Sequence, residues 1–384
     1  MDVVWPRRAL RAALVVAGVV AGCAPAGNSP RLPGGLLHVV TSGDGTVTLL
    51  DGDRGQVLER ALPAGPAPWQ VAPGPAGSVL VLSMDAGHVG TLTQLLPPAG
   101  GQRAWTVRPV PVGARTRQAL LAGGGEAYAA VAYSAGAPAD PADTAPAPAP
   151  CGLDLIDGRA GRVVRRHAVC EAGREAGTGL ALEDAPGGAV AYLGIAAEPG
   201  PPPAGARAGS RVLAVAAESG ATLAVLPLAG PPAAVVLAPE PGSAGRRLYA
   251  VETAAGPDPE SPAADPDRAR LLALDPVTLA VEREYRLGFR PLQLAIGPEG
   301  DHGYALAADG HRLLHLDLHS GAQDLLADLP LRATGIAVTA TAVYVAQPAA
   351  DLVRAVPRRP VGGAQAAAIP VGRHPTGITR SGAG

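Results

Sequence analysis

The chain has 384 residues, 47% hydrophobic, 17% charged and only 3% aromatic, and Gly (51) and Pro (41) make up near a quarter of it. That Gly and Pro load excludes a helical bundle, and the hydrophobic share excludes whole-chain disorder. The net charge of −2 sets up no global field for nucleic acid, and because all 31 basic residues are arginine, Schiff-base chemistry and a P-loop lysine are excluded.

The N-terminus begins with a basic n-region, Arg7, Arg8 and Arg11, followed by an apolar run from Ala12 to Gly22. That run is shorter than the roughly 20 residues of a membrane span but suits a signal peptide. It ends in Val20-Ala21-Gly22-Cys23, which resembles the bacterial lipoprotein signal, the lipobox. The resemblance implies cleavage before Cys23, lipidation of Cys23, and export to a membrane-anchored position outside the cytoplasm. The expected layout is a signal peptide over residues 1–22, a lipidated Cys23 with a Pro/Gly/Ser tether to 35, a folded domain over 36–380 and a tail over 381–384.

From residue 36 onward one unit recurs. It holds an alternating strand, a polar turn, a second strand ending in Asp, a third strand, a Gly/Pro corner and a short apolar strand. Leu36–Pro73, His302–Val338 and Tyr344–Thr379 are the clearest copies. The corner strand begins after Pro68, Thr116, Thr178, Pro232, Pro291, Thr334 and Pro375, seven times in all. The shortest spacings match the roughly 40–45 residues of a four-stranded propeller blade. Period-2 alternation is expected in each strand. Asp51, Asp157, Asp275 and Asp317 each fall where the unit's second strand meets its turn, a place for an Asx turn rather than a catalytic base.

The fold expected is all-β: a seven-bladed β-propeller of four-stranded antiparallel blades. The chain starts with the outer three strands of one blade and ends on a lone inner strand, so the C-terminal strand should join the N-terminal blade and close the ring. Cys151 and Cys170 flank a predicted hairpin. Facing residues sum to 319 at Asp157 and Arg162 and to 321 at the two cysteines, so the cysteines face each other or stand one diagonal step apart on the same side of the ribbon, which predicts a disulfide in an oxidising compartment.

Tyr344-Val345-Ala346-Gln347, Thr46-Val47-Thr48-Leu49-Leu50-Asp51 and Val371-Gly372-Arg373-His374-Pro375-Thr376-Gly377-Ile378 resemble the YVTN-type β-propeller repeat. The resemblance is strong at both ends and degenerate in the middle, and the Asn that closes the YVAN segment is missing. It implies a propeller and carries no universal catalytic residue.

Three Pro/Ala-rich inserts, 134–150, 197–209 and 254–268, interrupt consecutive blades between the second and third strands from the axis. Propeller topology opens these connections on the same face as the corner loops. Those loops carry Arg115, Arg117, Arg174, Arg290, Arg332, Arg373 and His374. A broken ring of guanidinium groups at the channel mouth would suit carboxylate or phosphate. The candidate ligand site is therefore Arg115, Arg117, Arg290, Arg332, Arg373 and His374, facing a small anionic ligand, a glycan or a partner protein. No catalytic residue, metal or cofactor is indicated: no HExxH, GxSxG or EF-hand spacing occurs, and His311, His315 and His319 on a strand would span about 13 Å, too far for one ion. A binding module leads. A propeller enzyme, lactonase or quinoprotein-like dehydrogenase, would need channel carboxylates, where the inner strands instead offer Trp69, Gln70, Arg117, Gln118, Leu292 and Gln293. An envelope assembly scaffold is the third reading.

Overall fold

The computed structural model describes residues 35–84, 90–98, 104–110, 112, 116–123, 128–135, 151–170, 175–185, 188–197, 209–243, 245–253, 269–358 and 366–381. Twenty-eight strands form seven four-stranded antiparallel sheets, a β-propeller. The first blade takes β1 (Leu36–Thr41), β2 (Thr46–Asp51) and β3 (Gln56–Pro63) together with the last strand, β28 (Pro375–Arg380). The second blade is β4 (Pro68–Pro73), β5 (Val79–Met84), β6 (Gly90–Leu96) and β7 (Thr106–Val110). The third is β8 (Thr116–Gly123), β9 (Tyr128–Ala135), β10 (Cys151–Asp157) and β11 (Arg162–Ala168). The fourth is β12 (Glu175–Ala185), β13 (Gly188–Ala197), β14 (Arg211–Ala216) and β15 (Thr222–Pro227). The fifth is β16 (Pro232–Pro239), β17 (Arg246–Glu252), β18 (Ala269–Leu274) and β19 (Val281–Leu287). The sixth is β20 (Pro291–Ile296), β21 (His302–Ala307), β22 (Arg312–Asp317) and β23 (Gln323–Asp328). The seventh is β24 (Gly335–Val338), β25 (Ala342–Gln347), β26 (Leu352–Pro357) and β27 (Ala367–Pro370).

The inner strands β28, β4, β8, β12, β16, β20 and β24 lie side by side around the axis, and β28 meets both β24 and β4. All seven contain the predicted corner segments. Closure is by main-chain pairing: β28 runs antiparallel to β1, with Val39 opposite Ile378. Tyr344 adds a second clasp, its hydroxyl donating to Gly52 O at 2.6 Å across the junction of the seventh and first blades.

Seven apolar clusters fill the seven gaps between neighbouring blades, built mainly of Val, Leu, Ala and Ile. This explains a departure from the expected alternation. β1 and β25 are buried at every position, because a middle strand has a neighbouring blade against each of its faces. Only the outer strands are largely exposed, as in β3.

The recurrent Asp performs one job in all four places. Asp51, Asp157, Asp275 and Asp317 each accept, through Oδ1, the backbone N–H groups two and three residues on, at 2.7 to 3.1 Å. The fourth residue after each Asp is left-handed: Gly55, Gly161, Leu279 and Gly321 have φ of 66°, 62°, 56° and 81°. Glycine takes that conformation freely, whereas Leu279 takes it against its Cβ. The fourth blade makes the same turn with Ala216 where the others have Asp, its carbonyl accepting from Gly220 N at 2.8 Å.

The third-blade hairpin shows where the cysteine arithmetic met an irregularity. Asp157 pairs with Arg162 as predicted, but the register shifts at a bulge between Leu155 and Ile156, so Leu153 faces His167 and Gly152 faces Ala168. The bulge moves the ladder one step towards the cysteine register.

Candidate functional site at the corner-loop face

Each inner strand is entered through a corner loop, and the loops share one rim of the ring with the turns between second and third strands. A polar residue ending a second strand pins the neighbouring corner loop. Glu252, 2% exposed, accepts from Gly230 N at 2.7 Å. Gln347, fully buried, donates to Leu331 O at 2.6 Å, and Ser83 donates to Ala64 O at 3.2 Å. These residues hold the position where the YVAN segment would carry Asn. Sequence reading registered the missing Asn but not its stand-ins; the fourth position of Tyr249-Ala250-Val251-Glu252 and Tyr344-Val345-Ala346-Gln347 was the available signal.

The candidate cations divide. Arg290, half-buried, Arg332, exposed, and His374, exposed, come from three consecutive corner loops and make no ion pair among the described residues. Arg373 is already engaged: its Nε lies 2.6 Å from Asp44 Oδ1 on the β1–β2 turn. The Arg373 backbone N–H and guanidinium hold the Asp44 carboxyl below the usual carboxylate range. The structure thus brings Arg373 to the expected rim but gives its charge to Asp44. His374 sits in a left-handed conformation, φ 52°, with its N–H donated to Asp351 Oδ1 at 2.8 Å. Arg115, Arg174, most of the three inserts, and the side chains of Arg117 and Cys151 lie outside the described residues, as does Cys23.

The inner-strand carboxylates whose side chains are described are committed elsewhere. Glu175 on β12 is paired with both terminal nitrogens of Arg211, Arg211 Nη2 lying 2.9 Å from Oε2. Glu183 accepts from the Tyr192 hydroxyl at 2.8 Å. Gln70 and Gln293, noted from sequence as channel candidates, satisfy the free edge of the next inner strand: Gln70 Oε1 accepts from Leu121 N at 2.8 Å and Gln293 Oε1 from Ile336 N at 3.2 Å. Trp69 on β4 remains half exposed beside them.

His311, His315 and His319 do not converge. His311 Nδ1 donates to Leu329 O at 3.2 Å, while His315 Nε2 meets His302 Nδ1 at 3.0 Å. Burial and the neighbouring His302 depress the His315 pKa. Among the described residues no group of three or more His, Cys, Asp and Glu side chains is placed to hold a metal ion, and no helix is long and apolar enough to cross a membrane.

No family model and no curated protein matches the chain. Solved structures do. The periplasmic gluconolactonase PpgL of Pseudomonas aeruginosa is similar with a TM-score of 0.60 and 15% identity, over 91% of this chain and 99% of that one. A putative 6-phosphogluconolactonase from Bacteroides uniformis is similar with a TM-score of 0.58 and 12% identity, over 91% of this chain and 100% of that one. Apo AztD from Citrobacter koseri is similar with a TM-score of 0.50 and 16% identity, over 90% and 97%. At such identities the likeness is one of fold, the β-propeller, and the site must argue for itself.

Proposed function

We propose that this chain is an exported propeller, lipid-anchored through Cys23 outside the cytoplasm, whose corner-loop face binds an anionic ligand, glycan or partner loop. The observation that carries the reading is the arc of Arg290, Arg332 and His374, three cationic or titratable side chains from consecutive blades that make no ion pair among the described residues, His374 acting on the Asp44 carboxylate only through its charge. Arginine presents a planar fork suited to carboxylate or phosphate, and a concave rim concentrates several such forks. The proposed site also includes Arg115 and Arg117, expected on this rim from the sequence. The lipobox and the YVTN-type repeat remain part of this reading, as does a Cys151–Cys170 disulfide. The disulfide is supported by the disulfide-bonded state of Cys170 and by the ladder that ends one step short of it, at Gly152 and Ala168.

The test is calorimetric binding of inorganic phosphate and of an oligogalacturonate to the wild-type chain and to an Arg290→Gln/Arg332→Gln variant. Loss of about two charged hydrogen-bonding partners should weaken binding by tenfold or more. Equal affinity of the two proteins overturns the proposal. The fold-likeness to two lactonases favours a second reading, a lactone hydrolase. Against it stand Glu175 and Glu183, both held by partners rather than open to the channel. Hydrolysis of gluconolactone above the uncatalysed rate would decide for the enzyme.

A further inference from the structure

The outer rim of the third and fourth blades has a character found on no other described outer strand. β11 carries Arg162, Arg165 and Arg166 and no carboxylate, and the turn before it adds Arg159. By contrast, β19 mixes arginine with Glu282 and Glu284, both of them ion-paired, and β23 has two Asp and no cation. Arg166 is bound to the buried Asp154 at 2.8 Å and Asp157 is occupied by its own turn, and Arg159, Arg162 and Arg165 make no ion pair among the described residues; the one acid on the facing turn, Glu218, follows Ala217 and lies against Gly188. Arg108 of the second blade joins the group, donating to Arg159 O at 2.9 Å.

An apolar strip lies beside this charge. His167 Nε2 is 2.9 Å from Ala217 O, which fixes β11 against the fourth blade. There the outer strand β15 exposes Leu223 and Val225 by 55% and 45%, and β15 has no charged residue. Val225 pairs with Leu213, whose side chain packs in the cluster between the third and fourth blades, so Val225 faces the β11 side. Exposed aliphatic groups adjoining unneutralised arginine are the two ingredients of interfacial membrane binding: the cations are drawn by anionic headgroups and the apolar side chains enter the acyl boundary. An acidic peptide would use the charge and leave the aliphatic strip uncovered.

We propose that this β11–β15 rim docks on an anionic phospholipid surface and lays the propeller edge-on to the membrane. The orientation rests on the lipid-anchored reading above, since residues 24–34 can span at most about 40 Å and keep the domain at the bilayer. The rim itself does not depend on that anchor. Edge-on docking leaves the corner-loop face open to ligand from the side.

The ring is complete within residues 35–381, so the test uses residues 24–384, which carry neither the apolar leader nor a lipid. Flotation is measured with vesicles of phosphatidylcholine alone and with 30% phosphatidylglycerol. The expected result is binding to the anionic vesicles only, falling with salt and about tenfold or more weaker for Arg162→Gln/Arg165→Gln. Leu223→Ser/Val225→Ser should reduce binding that persists at high salt, while Arg290→Gln/Arg332→Gln should bind as wild type. Unchanged thermal melting keeps the rim variants interpretable, since Arg162 and Arg165 make no side-chain ion pair among the described residues. Equal flotation with neutral vesicles, an unaffected Arg162→Gln/Arg165→Gln variant, or no flotation overturns the proposal. Loss of flotation in Arg290→Gln/Arg332→Gln instead would assign the anion contact to the corner-loop face and overturn it as well.

Discussion

Val39 near the start of the fold and Ile378 near its end face each other in one antiparallel ladder, and Ile378 is 8% exposed within the apolar cluster between the seventh and first blades. The ring is therefore a single cooperative object whose weakest covalent point, the gap between its two ends, is bridged by sheet hydrogen bonds. Ile378→Ala should cost about 2–4 kcal/mol, and removal of residues 375–384 should lower the melting temperature far more. Circular dichroism melting checks both; an unchanged transition in the truncated chain contradicts closure.

The turn after the third strand offers a gain as well as losses. Asp317 accepts from His319 N and Ser320 N, and those backbone donors hold its pKa below the usual value. Asp317→Ala should destabilise by about 1 kcal/mol. Ala216 makes the same turn without the side-chain acceptor, so Ala216→Asp should stabilise by a similar or smaller amount. Urea unfolding of the two variants reads the opposite signs.

Glu252 accepts from Gly230 N and pairs with Arg270 Nη2 at 2.6 Å while almost fully buried. Glu252→Ala leaves a buried N–H without its acceptor and should cost about 3 kcal/mol. Glu252→Gln should cost markedly less, because the seventh blade already places Gln347 at the matching position, where Gln347 Oε1 accepts from Arg354 Nε at 3.0 Å. Equal losses for the two substitutions, measured by chemical denaturation, would refute the pinning role.

His38 is 1% exposed, with its Nε2 buried and without a hydrogen-bond partner, and burial lowers its pKa from 6.5 to about 4. Its neutral form is the one the fold accepts. Between those two values the unfolded chain binds the proton that the native chain refuses, so stability present above about pH 6.5 is lost as pH falls towards 4. The loss attributable to this group approaches about 3 kcal/mol at the acid end. His38→Leu should flatten the stability profile over that window, as read from denaturation midpoints at pH 7, 5.5 and 4.5.

The blade count, the inner strands and the four Asx turns were legible because they depend on local chemistry: proline or threonine before a short apolar run, and aspartate before a left-handed residue. Closure was legible from the mismatch of three strands at one end with one at the other. Contacts set by the ring's curvature were not. The Arg373–Asp44 pair joins loops at opposite ends of the sequence, and His315 meets His302 through a hairpin register that sequence patterning does not specify. The bulge at Leu155 and Ile156 was equally silent, since an extra residue in β11 leaves no mark on composition. The cysteine register was for that reason bracketed rather than fixed.

The last strand also governs how this molecule comes into being. β28 is synthesised after every other described strand, so until it emerges Leu36–Thr41 waits with one flank unsheltered. A nascent or prematurely terminated chain cannot reach the native state, whatever the condition of its other blades. The β1 flank is left unpaired in any copy that lacks β28 and is covered once that strand docks.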